Sequence, residues 1–263
     1  METAAPTAVA ARPRAFVRVA GPDAADYLQR LLSNDVAGLE TGGSCEALLL
    51  TPKARPIATM RVLRRADDDF LLLTEPELGD VLREQLVRMR FAAKVEVEPE
   101  EHTSTLVFGG DVAGIPSDEY GEPAVEVLDA PFEPTMDGTA LELRRIAAGT
   151  PAWGKEIDDR VMPAEAGLVG RAVSLSKGCY PGQEPVARLH FRGHANRGLR
   201  VLRIERAEPL EPDAEVIYGE KAVGRVTSSV PADGGLVALA YVRVEVPGDA
   251  ELRVGSAAAR SLH

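Results

Sequence analysis

The chain has 263 residues, 45% hydrophobic and 27% charged, a composition that supplies a sizeable core and excludes disorder as its main character. Lys+Arg number 30 against 41 Asp+Glu, and the formal net charge of −11 sets the global field against a phosphate backbone, so no direct nucleic-acid binding is expected. The two cysteines, Cys45 and Cys179, are too few for a self-contained zinc or iron–sulfur site, and no metal site is predicted.

Residues 1–14, rich in Ala and Pro, are expected to be disordered. They contain no apolar run of signal-peptide length, and no later stretch approaches the ~20 apolar residues of a membrane span, so the expected location is the cytoplasm, with no membrane contact. Residues 16–19 predict a strand. The turn at Gly21-Pro22-Asp23 then starts a helix in which Tyr27, Leu28, Leu31 and Leu32 recur at helical spacing. Strands follow at 45–50, 59–63 and 70–74. The first two are separated by a proline-bounded loop over Thr51 to Pro56, and the last two by an acidic turn at Asp67 to Asp69. Leu78, Val81, Leu82, Leu86 and Met89 mark the apolar stripe of a helix over 76–90. Residues 94–98, 103–108 and 124–128 read as strands and 141–148 as a helix. The mixture has no regular β-α-β rhythm and predicts an α+β fold. From Gly149 to Gly198 the chain is loop-rich. Beyond it, strands at 200–205, 215–218, 222–229, 236–244 and 251–254, separated by turns, predict a small all-β barrel.

The segment Ser176-Lys-Gly-Cys-Tyr-Pro-Gly-Gln-Glu184 concentrates chemistry. Its glycines and proline make a tight loop of the kind that lets backbone approach a ligand, and Glu184-Pro185 reads as the first turn of a helix. Cys179 would sit just ahead of that helix N-terminus, with Lys177 two residues away. Both features favour a thiolate. The competing reading is a buried, inert cysteine. His190 and His194 are four apart, but Gly193 lies between them and no third ligand is at hand, which argues against a metal pair. Sequence spacing alone does not bring His190 to Cys179 as a hydrolytic dyad. Arg188, Arg192, Arg197 and Arg200 form a basic run in an acidic chain, either a solvated face or a site for a carboxylate-bearing ligand.

The run Lys177-Gly-Cys-Tyr-Pro-Gly-Gln-Glu184, continuing into Val186-Ala-Arg188 and Phe191-Arg-Gly193, resembles the K-G-C-Y-x-G-Q-E motif of the YgfZ family, folate-binding relatives of the glycine-cleavage T-protein. Leu32-Ser-Asn-Asp-Val36, Arg145-Ile-Ala-Ala-Gly-Thr-Pro151 and Met162-Pro-Ala-Glu-Ala-Gly-Leu168 resemble further segments of that family, and Gly224-Arg-Val-Thr-Ser228 resembles its barrel. The resemblance spans nearly the whole chain. It implies a T-protein-like ring: two intertwined, ferredoxin-like α+β portions, 15–100 and 101–198, and a C-terminal antiparallel β-barrel, 199–263, around a cavity for tetrahydrofolate or another reduced folate.

The same resemblance implies a role in iron–sulfur cluster assembly or repair. That role would sustain tRNA-modifying iron–sulfur enzymes indirectly, with cluster carriers or client enzymes as partners. Cys179 and Lys177 become the candidate reactive residues. Asn34, Glu126, Arg145, Tyr180, Gln183, Glu184, Arg188 and Arg197 become candidate folate contacts, with arginines facing the glutamyl carboxylates and Glu126 facing the pterin. The alternative is an aminomethyltransferase like the T-protein itself. That enzyme uses an aspartate after a Gly-rich turn, and the corresponding loop here, Thr51 to Pro56, has neither an aspartate nor a glycine. A protein that binds cluster carriers without folate is a third reading.

Overall fold

The computed structural model describes residues 6–211 and 213–262. The chain opens with β1 (Ala8–Ala11) and β2 (Ala15–Ala20), then α1 (Ala24–Leu31). The segment expected to be disordered therefore contains a strand. β1 is held by the backbone ladder of a neighbour distant in sequence, an interaction that local composition cannot reveal. The next elements are β3 (Ser44–Leu50), β4 (Pro56–Ala66), β5 (Asp69–Thr74), a 3-10 turn at Pro76–Leu78, α2 (Gly79–Met89) and β6 (Glu96–Glu100). The strands form a 5-stranded antiparallel sheet in the order β3-β4-β5-β2-β6. The apolar stripes of α1 and α2 bury Tyr27, Leu28, Leu82 and Leu86 against Val17, Val19, Val62 and Leu72 of the sheet. This is the helix-on-sheet layer that the periodicity predicts.

β7 (Ser104–Phe108), β8 (Ile115–Ser117), β9 (Ala124–Leu128) and α3 (Gly138–Ala147) follow. Their strands make a 4-stranded sheet in the order β1-β7-β9-β8. Since β1 belongs to this sheet and β2 to the other, the chain crosses between the two portions at Arg12 to Arg14, and the portions are intertwined from their first residues. α4 (Val169–Ala172) and α5 (Gln183–Arg192) then lead into β10 (Arg197–Ile204), β11 (Glu215–Tyr218), β12 (Lys221–Ala232), β13 (Gly235–Arg243), β14 (Leu252–Val254) and β15 (Ala257–Ser261). These strands close into an antiparallel barrel when β10 pairs with β15. β13 is buried from Gly235 to Val242 because its two faces meet different cores. Leu236, Ala238, Ala240 and Val242 fill the barrel, while Val237 and Leu239 pack on Ile146 of α3.

The end of the first sheet is clasped to the second through His102. Its Nε2 lies 2.9 Å from a Glu100 carboxylate oxygen and its Nδ1 lies 2.6 Å from one of Asp129. Carboxylate oxygens only accept, so both ring nitrogens carry hydrogen and the imidazole is charged. Burial opposes that charge, but the hydrogen bonds to Asp129 and Glu100 outweigh it and raise the pKa above its ordinary value. A raised folded-state pKa means the stabilisation is fully present below about pH 6.5 and is lost as pH rises through the folded-state value. His102→Gln is accordingly expected to lower the melting temperature near pH 5.5 and to converge on wild type towards pH 9, as measured by thermal unfolding across that range.

Candidate functional site

A cavity of about 220 Å³ lies where the β1–β2 crossover, β3, β4, α3, the segment 150–157 and α4 converge. Strand alternation explains which side chains reach it. In β3, Ala47 and Leu49 face the helical layer, so Glu46 and Leu48 face the other way. Glu46 pairs in register with Arg61 of β4, which places the two on one face, with Arg61 Nη2 donating to Glu46 at 3.0 Å. Trp153, Tyr120, Leu141 and Leu168 give the cavity an apolar wall.

Its polar wall is a network of arginines and glutamates. Arg12 forks onto Glu75 at 2.6 and 3.0 Å. Arg14 forks onto Glu126 at 2.9 and 3.0 Å, and Arg171 onto Glu46 at 2.7 and 3.1 Å. Glu119 accepts from Arg61 at 3.2 Å and lies 3.8 Å from both Arg12 and Arg14. Burial would raise the Glu119 pKa, but the guanidiniums of Arg14, Arg12 and Arg61 outweigh it and hold the group at about 2. Two donors stay unmatched. The Nε–H groups of Arg12 and Arg61 are buried without a hydrogen-bond partner among the described residues, an arrangement that favours an acceptor oxygen beside them.

Several expected folate contacts have other work. Glu126 does not line the cavity; it is 1% exposed and taken up by Arg14 and by the Ser104 hydroxyl at 2.5 Å. Its strand turns it into the contact between the sheet and the crossover, so it is not free for a pterin. Arg145 lines the cavity, but its donors are already engaged by the Glu142 carboxylate, by Glu156 at 3.0 Å, by the Thr150 carbonyl and by the Ser228 hydroxyl. It ties α3 to the barrel and is no free carboxylate clamp. Arg197 is likewise occupied, forking onto Glu165 and lying 4.7 Å over the Tyr241 ring. Arg188 and Glu184 are exposed on α5, outside the cavity wall. The Asn34 amide donates to the backbone carbonyls of Glu46 and Arg171 and joins β3 to α4.

The cysteine loop docks onto the first portion rather than into the cavity. Lys177 Nζ donates to the carbonyls of Gln29, Leu32 and Asn34, the last at 2.9 Å, so its charge caps the C-terminal end of α1. Lys177 thus anchors the loop, and burial lowers its pKa to about 8. Tyr180 is buried among Leu48, Leu50, Ala54 and Val186, and the Gln183 side chain accepts from the Tyr180 N–H at 3.3 Å. Gly182 takes φ +84° beside the Thr51 carbonyl, where a Cβ would come within 2.6 Å of that oxygen. Only glycine meets both constraints. Cys179 is left exposed at the tip. It does not line the cavity. The half-buried Cys45 thiol is pushed up to about 11, mainly by burial, and stays protonated.

Apart from Arg145, the polar residues that build the cavity wall were not singled out by sequence. Arg12 and Arg14 sit in the stretch expected to be disordered. Glu46 and Arg61 stand at register-matched positions beside apolar residues of β3 and β4, a further trace of the site in the sequence. Glu119 and Trp153 stand in loops and become wall residues only on folding.

No protein-family model matches the sequence. The structure superposes on the glycine cleavage system aminomethyltransferase T from Bartonella henselae with a TM-score of 0.81, over 95% of this chain and 82% of that one, at 21% identity. The fold is thus the T-protein-like α+β architecture with a C-terminal barrel. Two sequence relatives cover nearly the whole chain. The tRNA-modifying protein YgfZ of Edwardsiella ictaluri is 27% identical over 289 residues, 90% of this chain and 85% of its own length. An uncharacterized protein of Haemophilus influenzae is 25% identical over 251 residues, 91% and 90%. With the cysteine motif in place, the chain is similar to YgfZ proteins in sequence and to the glycine-cleavage T-protein in fold.

Arg145→Met leaves Glu156, which is 1% exposed, without its cation. It should lower stability by about 3–5 kcal/mol in urea unfolding, whereas Ser228→Ala, which removes one hydrogen bond to each partner, should cost about 1–2 kcal/mol.

Proposed function

We propose that the chain binds a reduced folate such as tetrahydrofolate in its central cavity and acts, as a YgfZ-type protein, in iron–sulfur cluster assembly or repair. On this reading it sustains tRNA-modifying iron–sulfur enzymes from the cytoplasm without touching RNA. The observation that carries the ligand is the cavity's pairing of an apolar wall with unmatched donors beside carboxylates. A pterin presents amino and ring N–H donors next to an oxo acceptor. Glu119 suits the former and the Nε–H groups of Arg12 and Arg61 suit the latter, with Trp153 and Tyr120 against the ring. The volume of about 220 Å³ lies below the roughly 300 Å³ at which pockets for whole drug-sized ligands begin, and suits the bicyclic ring rather than the entire cofactor. These groups bind and orient the ring; the one-carbon chemistry would be the folate's own.

The iron–sulfur part of the proposal rests on the exposed motif thiol and on the similarity to the tRNA-modifying protein YgfZ. Among the described residues no group of 3 or more His, Cys, Asp or Glu is placed to hold a metal. A cluster met by Cys179 therefore takes its other ligands from a partner protein.

The fold neighbour keeps the aminomethyltransferase reading in view. General acid–base work in this cavity needs a carboxylate near neutral pKa. Glu46, Glu75, Glu119 and Glu142 are all paired with arginine, Glu119 and Glu142 are held at about 2, and the Thr51 to Pro56 loop offers no aspartate.

Trp153, the sole tryptophan, lines the cavity and supplies a direct readout. Tetrahydrofolate should change its fluorescence saturably. Arg61→Met should weaken binding by about tenfold or more, the loss expected for a hydrogen bond to a charged group. No change in fluorescence and no calorimetric heat at millimolar folate would remove the ligand claim. In a strain lacking the gene, Cys179→Ser should fail to restore iron–sulfur enzyme activity. Purified protein mixed with the other glycine-cleavage components should release no ammonia and form no methylene-folate. The opposite results would favour the transferase.

A further inference from the structure

α5 turns one side to the core and leaves the other uncovered. Val186 packs with Tyr180, Leu48 and Leu50. Towards the other end of the helix, Phe191 is 68% exposed, and Arg188, His190 and Arg192 are exposed around it. The His190 and Phe191 rings meet edge to face, with centroids 4.9 Å apart. Cations in the last turn complement the helix dipole, which gives Arg192 a local reason. The Phe191 ring stands in water among these cations.

The charge pattern points to what covers it. Most arginines of this chain are committed: Arg197 forks onto Glu165, and Arg200 donates to the Pro247 carbonyl. Among the described residues, Arg188 and Arg192 take part in no ion pair and no side-chain hydrogen bond. No Asp or Glu stands between Glu184 and Glu205, in a chain of 41 acidic residues and net charge −11. Along this stretch the chain's own charge is opposite in sign to its net charge. It surrounds an apolar anchor, the arrangement of an aromatic hot spot with a charged rim.

We propose that this face docks an acidic protein segment bearing an apolar side chain, seating it along α5 so that the partner reaches Cys179. α5 has 10 residues, about 15 Å of helix, a length that an extended segment of about five residues spans. A protein segment fits better than RNA. Two free arginines neutralise few phosphates, and the surrounding acidic surface opposes a polyanion that extends beyond the patch. The inference rests on Cys179 working with a partner protein and is independent of folate.

The test uses the full chain and a synthetic peptide of Glu, Asp and Leu carrying a cysteine activated as its 2-pyridyl disulfide, beside a counterpart with Gln and Asn for the acids. The Cys179 thiolate attacks the peptide sulfur, a mixed disulfide forms, and pyridine-2-thione leaves and is read by absorbance. The acidic peptide should react about tenfold faster than the neutral one at low salt, with the advantage shrinking as salt rises. Arg188→Glu with Arg192→Glu should abolish the advantage, and Phe191→Ala should reduce the acidic rate about fivefold, the effect of losing an interface anchor. Cys179→Ser should release no thione. Melting temperatures unchanged from wild type would establish that these surface variants fold.

Equal rates for the two peptides, or an advantage that survives the double charge reversal, would overturn the proposal. So would single-stranded RNA of matched charge binding more tightly than the acidic peptide. Self-association that disappears in the same variants would assign the face to a second copy of this chain and equally overturn it. The readout is a peptide rate, so absence of folate binding, or a Cys179→Ser chain that still supports iron–sulfur enzymes, would bear on the proposed function and leave this result distinct.

Discussion

The crossing of the chain between its two sheets is the constraint from which the rest follows. β1 pairs with β7 in one sheet and β2 pairs with β5 in the other, so Arg12, Pro13 and Arg14 must run through the junction of the two portions. Buried guanidiniums are costly unless fully paired. The pairing is distributed: Arg12 meets Glu75 of the first portion, and Arg14 meets Glu126 of the second. Glu119 answers Arg12 and Arg14 of the crossover and Arg61 of the first sheet together. The cavity is the space left beside this network, and its wall belongs to neither portion alone.

A second network fixes the barrel. Arg145 and Glu156 reach Ser228, and the Tyr241 hydroxyl donates to the Glu156 carbonyl at 2.7 Å. The apolar seam of Ile146 with Val201, Val237 and Leu239 runs beside it. Buried polar networks of this kind add registration more than they add stability. Here they set the position of the segment carrying Trp153 and hence one side of the cavity.

The cysteine motif divides into anchors and a tip. Lys177, Tyr180 and Gly182 hold the loop on α1, on the core and on the Thr51 to Pro56 turn, and what they present is Cys179 and the outer side of α5. The thiol and the cavity thus occupy different places, although Leu48 and the core beneath Tyr180 belong to the structure of both. In this chain most of the motif's side chains serve the docking of the loop.

By itself, the sequence determined the elements whose side chains carry a period or an apolar run: the stripes of α1 and α2, the strands of the first sheet, the helix at Leu141 to Ala147 and the barrel strands β10 to β14. It also carries the cysteine motif by which the chain resembles YgfZ proteins. Short strands without such a period, β1, β8 and the alanine-rich β15, were not legible, because ladder hydrogen bonds from distant strands hold them rather than local preference. Only the tertiary structure decided the site. Arg12, Arg14, Arg61 and Glu119 become one wall through contacts across up to more than a hundred residues. The Glu126 carboxylate and the Arg145 guanidinium are claimed by nearer partners, and the Lys177 ammonium is turned onto backbone carbonyls at the end of α1. A charged side chain's function depends on which opposite charge or carbonyl the fold brings to it, and that pairing is written in no local stretch of the sequence.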